Sequence, residues 1–119
     1  MAHQILVVDN DFARQQMLAA RLKGVAGLVI DAVCDSEAAI TGIRADGLPD
    51  LVIANVGNPR SRHSNAADIL GQCPGVRLVV VTGCELDEEL RARHAGAVAF
   101  IGAPLPDDFV EQVRCLLSG

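Results

Sequence analysis

The sequence predicts an α/β fold in which five parallel strands form one sheet with helices on both faces. Short apolar runs that are rich in β-branched residues alternate with stretches of 3.6-residue periodicity. The five runs are residues 5–8, 28–30, 51–54, 78–81 and 98–101. Because strict alternation of strands and helices favours right-handed crossovers, we expect the sheet to be parallel and doubly wound.

The stretches between and after these runs predict five helices. Their apolar positions are Met17, Leu18 and Leu22, then Ala39, Ile40 and Ile43, then Ile69 and Leu70, then Leu86 and Leu90, and finally Phe109, Val110, Val113, Leu116 and Leu117. Ser36 is expected to cap the second helix, and Gly47 with Pro49 to end it. Pro74-Gly75 is expected to end the third helix.

Composition limits the classes of function. The chain has 119 residues, half of them apolar, so a single domain over residues 1–119 with one compact core is expected. Its net charge of −5 disfavours general binding to nucleic acid or to anionic membrane, both of which attract mainly basic proteins. No run approaches the length of about 20 apolar residues that a spanning helix needs, and no leader pattern precedes the first strand. We therefore expect a cytoplasmic protein whose partner is another protein.

The cysteines and histidines do not form a recognisable metal-binding pattern. They are Cys34, Cys73, Cys84 and Cys115, with His3, His63 and His94. The cysteines lie far apart, so reduced and mostly packing thiols are expected. The histidines fall in different segments without ligand spacing, which predicts surface positions and no metal site.

Polar residues follow the predicted strands where a doubly wound sheet places its ligand site, beyond the carboxyl ends of the strands. They are Asp9-Asn10-Asp11, Asn55, Thr82-Gly83 and Gly102-Ala103-Pro104. Together with residues 5–9, 49–53, 79–82 and 95–97, these pieces follow the order seen in receiver domains of two-component response regulators, which the chain resembles over nearly its whole length. The resemblance implies a flavodoxin-like sheet of strand order 2-1-3-4-5 and a role in signalling.

Ordinary receiver domains carry two adjacent acids, an acceptor aspartate, a hydroxyl residue and a lysine. By resemblance these positions fall on Asp9 and Asn10, on Asn55, on Thr82 and on Ala103. Three of the five depart from the family pattern, and the only lysine, Lys23, lies late in the first predicted helix. The resemblance therefore implies a vestigial phosphorylation site.

The chemistry of the replaced residues agrees with this interpretation. An amide such as Asn55 has no anionic oxygen with which to attack phosphorus. Mg²⁺ prefers several hard oxygen ligands and gives up water reluctantly, so Asp9 alone, even with Asp11 nearby, should hold it weakly or not at all. Asp9 and Asp11 are disfavoured as an acid/base pair because no nucleophile accompanies them, and helix-capping and vestigial roles are favoured. We expect no enzymatic activity and no required cofactor.

Two further features have a functional and a structural interpretation. Thr82 and Phe100 occupy the positions of the hydroxyl and aromatic pair that moves when typical receivers switch, but without a phosphoryl group a strand-end cap and a core aromatic are favoured. Arg60-Ser61-Arg62-His63, after the third strand, would suit an anion or an acidic partner. A solvated loop is the favoured interpretation, because short basic clusters are common on surfaces.

By analogy with the family, the working surface is the fourth helix, the fifth strand and the fifth helix, where a partner or a second copy of the chain would bind. Its predicted residues are Leu86, Leu90, Arg91, His94, Phe100 and Phe109. The sequence thus predicts a signalling module that acts through protein–protein contact without phosphorylation. Two alternatives stay open: a conventional phosphoacceptor receiver, and a small-ligand or anion sensor that uses Arg60 and Arg62. Whether an output domain follows residue 119 also stays open.

Overall fold

The computed structural model describes residues 2–55, 64–82, 94–102 and 104–118. In chain order the elements are β1 His3–Val8, α1 Phe12–Lys23, β2 Leu28–Val33, α2 Ser36–Asp46, β3 Leu51–Asn55, α3 Asn65–Gln72, β4 Leu78–Thr82, β5 Ala99–Gly102 and α4 Phe109–Ser118. All five predicted strands are confirmed. The described residues contain four helices, and the helix predicted around Leu86 and Leu90 lies outside them. Across these ranges, no helix is long and apolar enough to cross a membrane.

The strands form one parallel sheet in the order β2-β1-β3-β4-β5, which confirms the predicted order. β3 and β4 are central, and every residue in both strands is buried. Val8 pairs with Ala54 across β1 and β3. The next residue on each strand, Asp9 and Asn55, therefore lies at the same carboxyl edge of the sheet.

The core has two layers, one on each face of the sheet. On one face the buried side chains include Val8, Val52, Ala54 and Val80 with Ala39 and Ile43 of α2 and Ala66 and Ile69 of α3. On the other they include Ile5, Val7, Ile53 and Val81 with Leu18 and Leu22 of α1 and Phe109 and Val113 of α4. Because successive strand side chains alternate between faces, each central strand contributes to both layers. The doubly wound architecture is confirmed.

The predicted N-cap of α2 is wrong by one residue. Asp35 is the cap, because its Oδ1 accepts a hydrogen bond from the Ala38 N–H at 2.8 Å. Ser36 is the first helical residue, and its hydroxyl donates to Asp68 at 3.0 Å instead. Asp and Ser are both strong caps, so adjacent ones cannot be separated by type alone. Gly47 ends the helix as predicted. Its φ is 92°, and its N–H donates a hydrogen bond to the Ile43 carbonyl.

Asp35→Ala should lower the free energy of unfolding by about 1 kcal/mol, because an N–H at the first turn of α2 loses its partner. Urea denaturation measures the change. Asp46→Ala, at the other end of the same helix, is the matched control and should be neutral or slightly stabilising, since the helix dipole disfavours an acid there. Equal losses from the two variants would contradict the assignment of Asp35 as the cap.

Some expectations about burial are wrong. Met17 belongs to the predicted apolar stripe of α1 but is 46% exposed. The buried residues of α1 are Leu18 and Leu22, as predicted, with Ala19 and the polar Gln15. Among the described cysteines only Cys73 packs in the core, where burial raises the pKa of its thiol. Cys34 and Cys115 are exposed, so packing is not their role.

Candidate functional site

The carboxyl edge of the sheet brings together three of the five predicted site residues. Asp9 follows β1 and is fully buried, while Asn55 and Thr82 are the buried last residues of β3 and β4. Asn10 is exposed at the rim of this crevice. Ala103 lies outside the described residues. The convergence arises because parallel strands end at one edge of a sheet.

Asp9 forms a bidentate ion pair with Arg14. The Arg14 Nε donates to Asp9 Oδ2 at 2.6 Å, and Nη2 donates to Oδ1 at 2.8 Å. The Asp9 side chain has no exposed surface, whereas that of Arg14 is 37% exposed. These side-chain hydrogen bonds to Asp9 are the main cause that raises the pKa of Arg14 above its ordinary value. The acid at the first position of the acidic pair that the resemblance implies is thus neutralised by a cation from the chain itself.

The start of α1 places Arg14 over Asp9. Asp11 caps the helix, its Oδ1 accepting from the Arg14 N–H at 3.0 Å, and its own N–H donates to Asp9 Oδ1 at 2.8 Å. Gln15 is buried and donates from Nε2 to the Val33 carbonyl at 2.8 Å, which joins α1 to the end of β2. The capping role of Asp11 is confirmed. Sequence reasoning missed Arg14, although an arginine in the first turn of the helix after Asp9 was the available signal.

Asn10 belongs to a polar network that ties together the starts of three helices. The Asn65 Oδ1 accepts from the Ser36 N–H at 3.1 Å. This contact orients the buried amide so that its Nδ2 donates to Asn10 Oδ1. Ser36 continues the network to Asp68 of α3. Asn10 therefore links the start of α1 to the start of α3, because the oxygen of its neutral side-chain amide accepts the hydrogen bond from Asn65.

Asn55 occupies the position that the resemblance assigns to the phosphoacceptor. Its side chain is 6% exposed, and its Oδ1 has no hydrogen-bond partner within the part of the chain that the structure describes. Leaving a buried acceptor without a donor costs about 1–3 kcal/mol. The amide offers neither a nucleophile nor a negative charge, so the crevice around it cannot form an aspartyl phosphate at this position.

The resemblance implies a Mg²⁺ site, and the hydrogen bonds of the crevice show which oxygens are free to bind such an ion. Mg²⁺ needs free oxygen ligands in a nearly octahedral arrangement. Both oxygens of Asp9 are engaged by Arg14 or Asp11, and the Asn10 oxygen is engaged by Asn65. In the described ranges, no three His, Cys, Asp or Glu side chains cluster in a way that could hold a metal ion. The residues present do not fit Mg²⁺.

Thr82 and Phe100 lie on the neighbouring strands β4 and β5. Thr82 pairs with Gly102 and Phe100 with Val80 across β4 and β5. Phe100 is partly buried against the core layer that contains α2 and α3. Its position agrees with the core-aromatic interpretation.

The predicted interaction surface needs correction at two residues. His94 is fully buried, and its Nε2 lies 2.8 Å from the Oγ of Ser64, so its predicted surface position is wrong. Phe109 is also fully buried, within the core layer under α1 and α4. Neither side chain can belong to a surface. His3 is exposed as predicted. Leu86, Leu90, Arg91 and the basic segment 60–63 lie outside the described residues.

Comparison with known proteins adds a structural relationship. No protein-family model matches the chain, and no curated protein sequence matches it. Among solved structures, NtrX from Brucella abortus in complex with ADP is 25% identical with a TM-score of 0.80, over 99% of this chain and 27% of NtrX. A putative response regulator from Chloroflexus aurantiacus is 24% identical with a TM-score of 0.81, over 100% of both chains. A response regulator from Thermotoga maritima is 20% identical with a TM-score of 0.80, also over 100% of both.

These structures define the class of fold. The two response regulators match along their whole length, as does the BeF₃-activated DrrB receiver domain, and at these identities the likeness concerns the fold. The chain therefore has the receiver-domain fold, of the flavodoxin-like type that the sequence predicts. It spans about a quarter of the length of NtrX, at 27%.

Proposed function

We propose that the chain is a receiver-like, non-enzymatic signalling domain, spanning residues 1–119, that acts in the cytoplasm through protein–protein contact and without accepting a phosphoryl group. The observation that carries the proposal is Asn55, a buried amide at the end of β3 where the resemblance requires an aspartate. The ion pair between Asp9 and Arg14 supports it, because the remaining acid is already neutralised.

Regulation of such a domain differs from that of an ordinary receiver. A ligand shifts a conformational equilibrium only through different affinities for the two states, and here the usual ligand has no acceptor. Hydrogen bonds join Asn65 to Asn10 and Arg14 to Asp9 at the crevice. We infer that the partner surface is available constitutively. It includes Leu86, Leu90 and Arg91 with the exposed part of Phe100, whose ring otherwise packs against the core, and it binds a signalling protein or a second copy of the chain.

Two alternative functions are a conventional phosphoacceptor and an anion sensor. A conventional phosphoacceptor is opposed by Asn55 and by the occupied oxygens of Asp9. Anion sensing depends on Arg60 and Arg62, which lie outside the described residues. A cavity of about 390 Å³ between β1, β2 and α2 is lined in part by Asp31 and Asp46, whose carboxylates disfavour an anion there.

Incubation with acetyl phosphate and MgCl₂ should leave the intact mass of the protein unchanged, because it has neither a nucleophile nor a fitting metal site. Mass spectrometry decides the question, with a conventional receiver domain treated in parallel to show that the donor is active. A stoichiometric adduct that is lost on mild base treatment would overturn the proposal.

A further inference from the structure

We propose that the open edge of β2 binds an extended segment of a partner protein as an added strand, with a basic side chain of that segment placed against Asp31 and Asp46. β2 is one edge of the sheet and β5 is the other. The partner surface already proposed includes part of Phe100 of β5, so the β2 edge is a second and separate surface. The inference goes beyond the proposed function and does not depend on the chemistry of Asn55.

The backbone of β2 has hydrogen-bonding groups that point away from the sheet. The carbonyl of Val33 faces β1, because it accepts from the Asp9 N–H at 3.2 Å. Successive residues of a strand direct their N–H and C=O groups to opposite sides, so every second residue of β2 bonds to β1. The groups of Ile30 and Ala32 therefore point outward. Over residues 2–55, 64–82, 94–102 and 104–118, no strand lies on that side of β2.

The side chains of this edge leave it open to another strand. Val29 is 47% exposed, and Asp31 and Ala32 are also exposed. Proteins usually protect an open edge with lysine, proline, a bulge or a charge that points onto the sheet face. The strand Leu28–Val33 contains neither lysine nor proline, and its single charge is Asp31. An edge protected mainly by Asp31 can accept a strand that neutralises this carboxylate.

A cavity of about 390 Å³ beside the edge supplies the charge that selects the added strand. It lies between β1, β2 and α2, with Leu6 and Ala39 in its apolar lining and with Asp31 and Asp46 as its acids. Leu6 pairs with Asp31, so both side chains lie on the α2 face of the sheet. Neither acid forms an ion pair with any residue that the structure describes. A lysine or arginine can lay its aliphatic stem on the apolar lining and its charge near the acids.

Charge complementarity also selects the kind of partner. Two β2 edges brought together would carry Asp31 and Asp46 from both copies of the chain, and like charges on paired strands are destabilising. The net charge of −5 adds to this repulsion. The segment that fits is extended and basic. It has apolar residues two positions before and two positions after its lysine or arginine, where they would cover Val29 and Val33.

The test uses the intact protein and a short peptide with blocked ends, Thr-Val-Thr-Arg-Thr-Val-Thr. In ¹H–¹⁵N spectra at low salt, the peptide should shift the amide signals of Ile30 and Ala32 and slow their hydrogen exchange. The expected Kd is about 1 mM or tighter. A peptide with glutamate in place of arginine should bind at least about 10-fold more weakly, because it brings a like charge to the edge.

N-methylation of the peptide tests main-chain pairing without changing the protein. Methyl groups on every second amide remove the donors on one side of a strand. Of the two alternate methylation patterns, one should abolish binding and the other should leave it nearly unchanged.

Substitution of the protein tests the role of the acids. Asp31→Asn should weaken binding of the arginine peptide about 3-fold, as expected for the loss of one exposed ion pair. Glu111→Gln removes the same charge from an exposed site on α4 and is the matched control, which should bind the peptide as the wild type does.

Three results would overturn the proposal: no binding at millimolar peptide, equal binding of the two methylated peptides, or equal binding of the arginine and glutamate peptides. Protected Ile30 and Ala32 amides in the free protein, together with a dimer in sedimentation, would overturn it in favour of a second copy of the chain. The acetyl phosphate assay does not involve the β2 edge. Failure of the strand-addition proposal therefore leaves the wild-type mass unchanged, whereas failure of the proposed function gives a wild-type adduct.

Discussion

Phe109→Ala should lower the free energy of unfolding by about 3–5 kcal/mol, the loss typical of truncating a buried phenylalanine. Phe109 is fully buried at the start of α4 and packs with Val113 against the sheet. The Arg21 guanidinium carbon also lies 5.7 Å from the centroid of its ring. Truncation would leave a cavity between α1, α4 and the sheet and would remove this cation–π contact.

Phe12→Ala is the matched control, because it removes the same side chain from a site that is 69% exposed on α1. Its effect should stay within about 0.5 kcal/mol. Urea denaturation of both variants, followed by circular dichroism, gives the comparison. If Phe109→Ala kept full stability and lost only self-association or partner binding, the surface interpretation of Phe109 would be restored.

The fold was predictable because its signal is local. Each strand is a short apolar run, and the apolar residues of each described helix recur with a period of 3.6 residues. The elements could therefore be placed without knowledge of contacts. The carboxyl-edge site was predictable for a related reason: residues such as Asp9 and Asn55 follow paired strands, and parallel strands bring their ends together. Strand order came from the resemblance, since periodicity does not determine it.

The remaining features depend on contacts through space. Asn65 and Asn10 are hydrogen-bonded although they are 55 positions apart in the sequence, and Ser64 and His94 are hydrogen-bonded although they are 30 positions apart. No periodicity in the sequence reports such pairs. Phe109 shows a different limit, because its apolar character predicted a contact but not whether the contact was with the core or with a partner. Arg14 lies only five positions from Asp9, yet its importance appears only once Asp9 is known to be buried.

Restoring the acceptor should not by itself restore phosphorylation. N55D is expected to form a phosphoryl adduct with acetyl phosphate at least about 100-fold more slowly than a conventional receiver, because the groups that stabilise transferring charge are missing. Asn10 contributes no carboxylate, and Ala103 contributes no cation. Arg14 donates hydrogen bonds to both carboxylate oxygens of Asp9. A time course of intact mass in MgCl₂ measures the rate. N55A is the control, since an adduct seen with N55D and absent from N55A arises at that position.

The same assay separates the contributions of the other positions. N10D should be tolerated structurally, because the Asn65 Nδ2 can donate to a carboxylate as well as to an amide oxygen. The triple variant N10D/N55D/A103K should still react slowly while Arg14 holds both oxygens of Asp9, and adding R14M should increase its rate and its dependence on Mg²⁺. If N55D alone reached the rate of a conventional receiver, the substitutions at Asn10 and Ala103 and the ion pair of Arg14 would have no bearing on the chemistry. An unchanged mass of the wild type would then be explained by Asn55 alone.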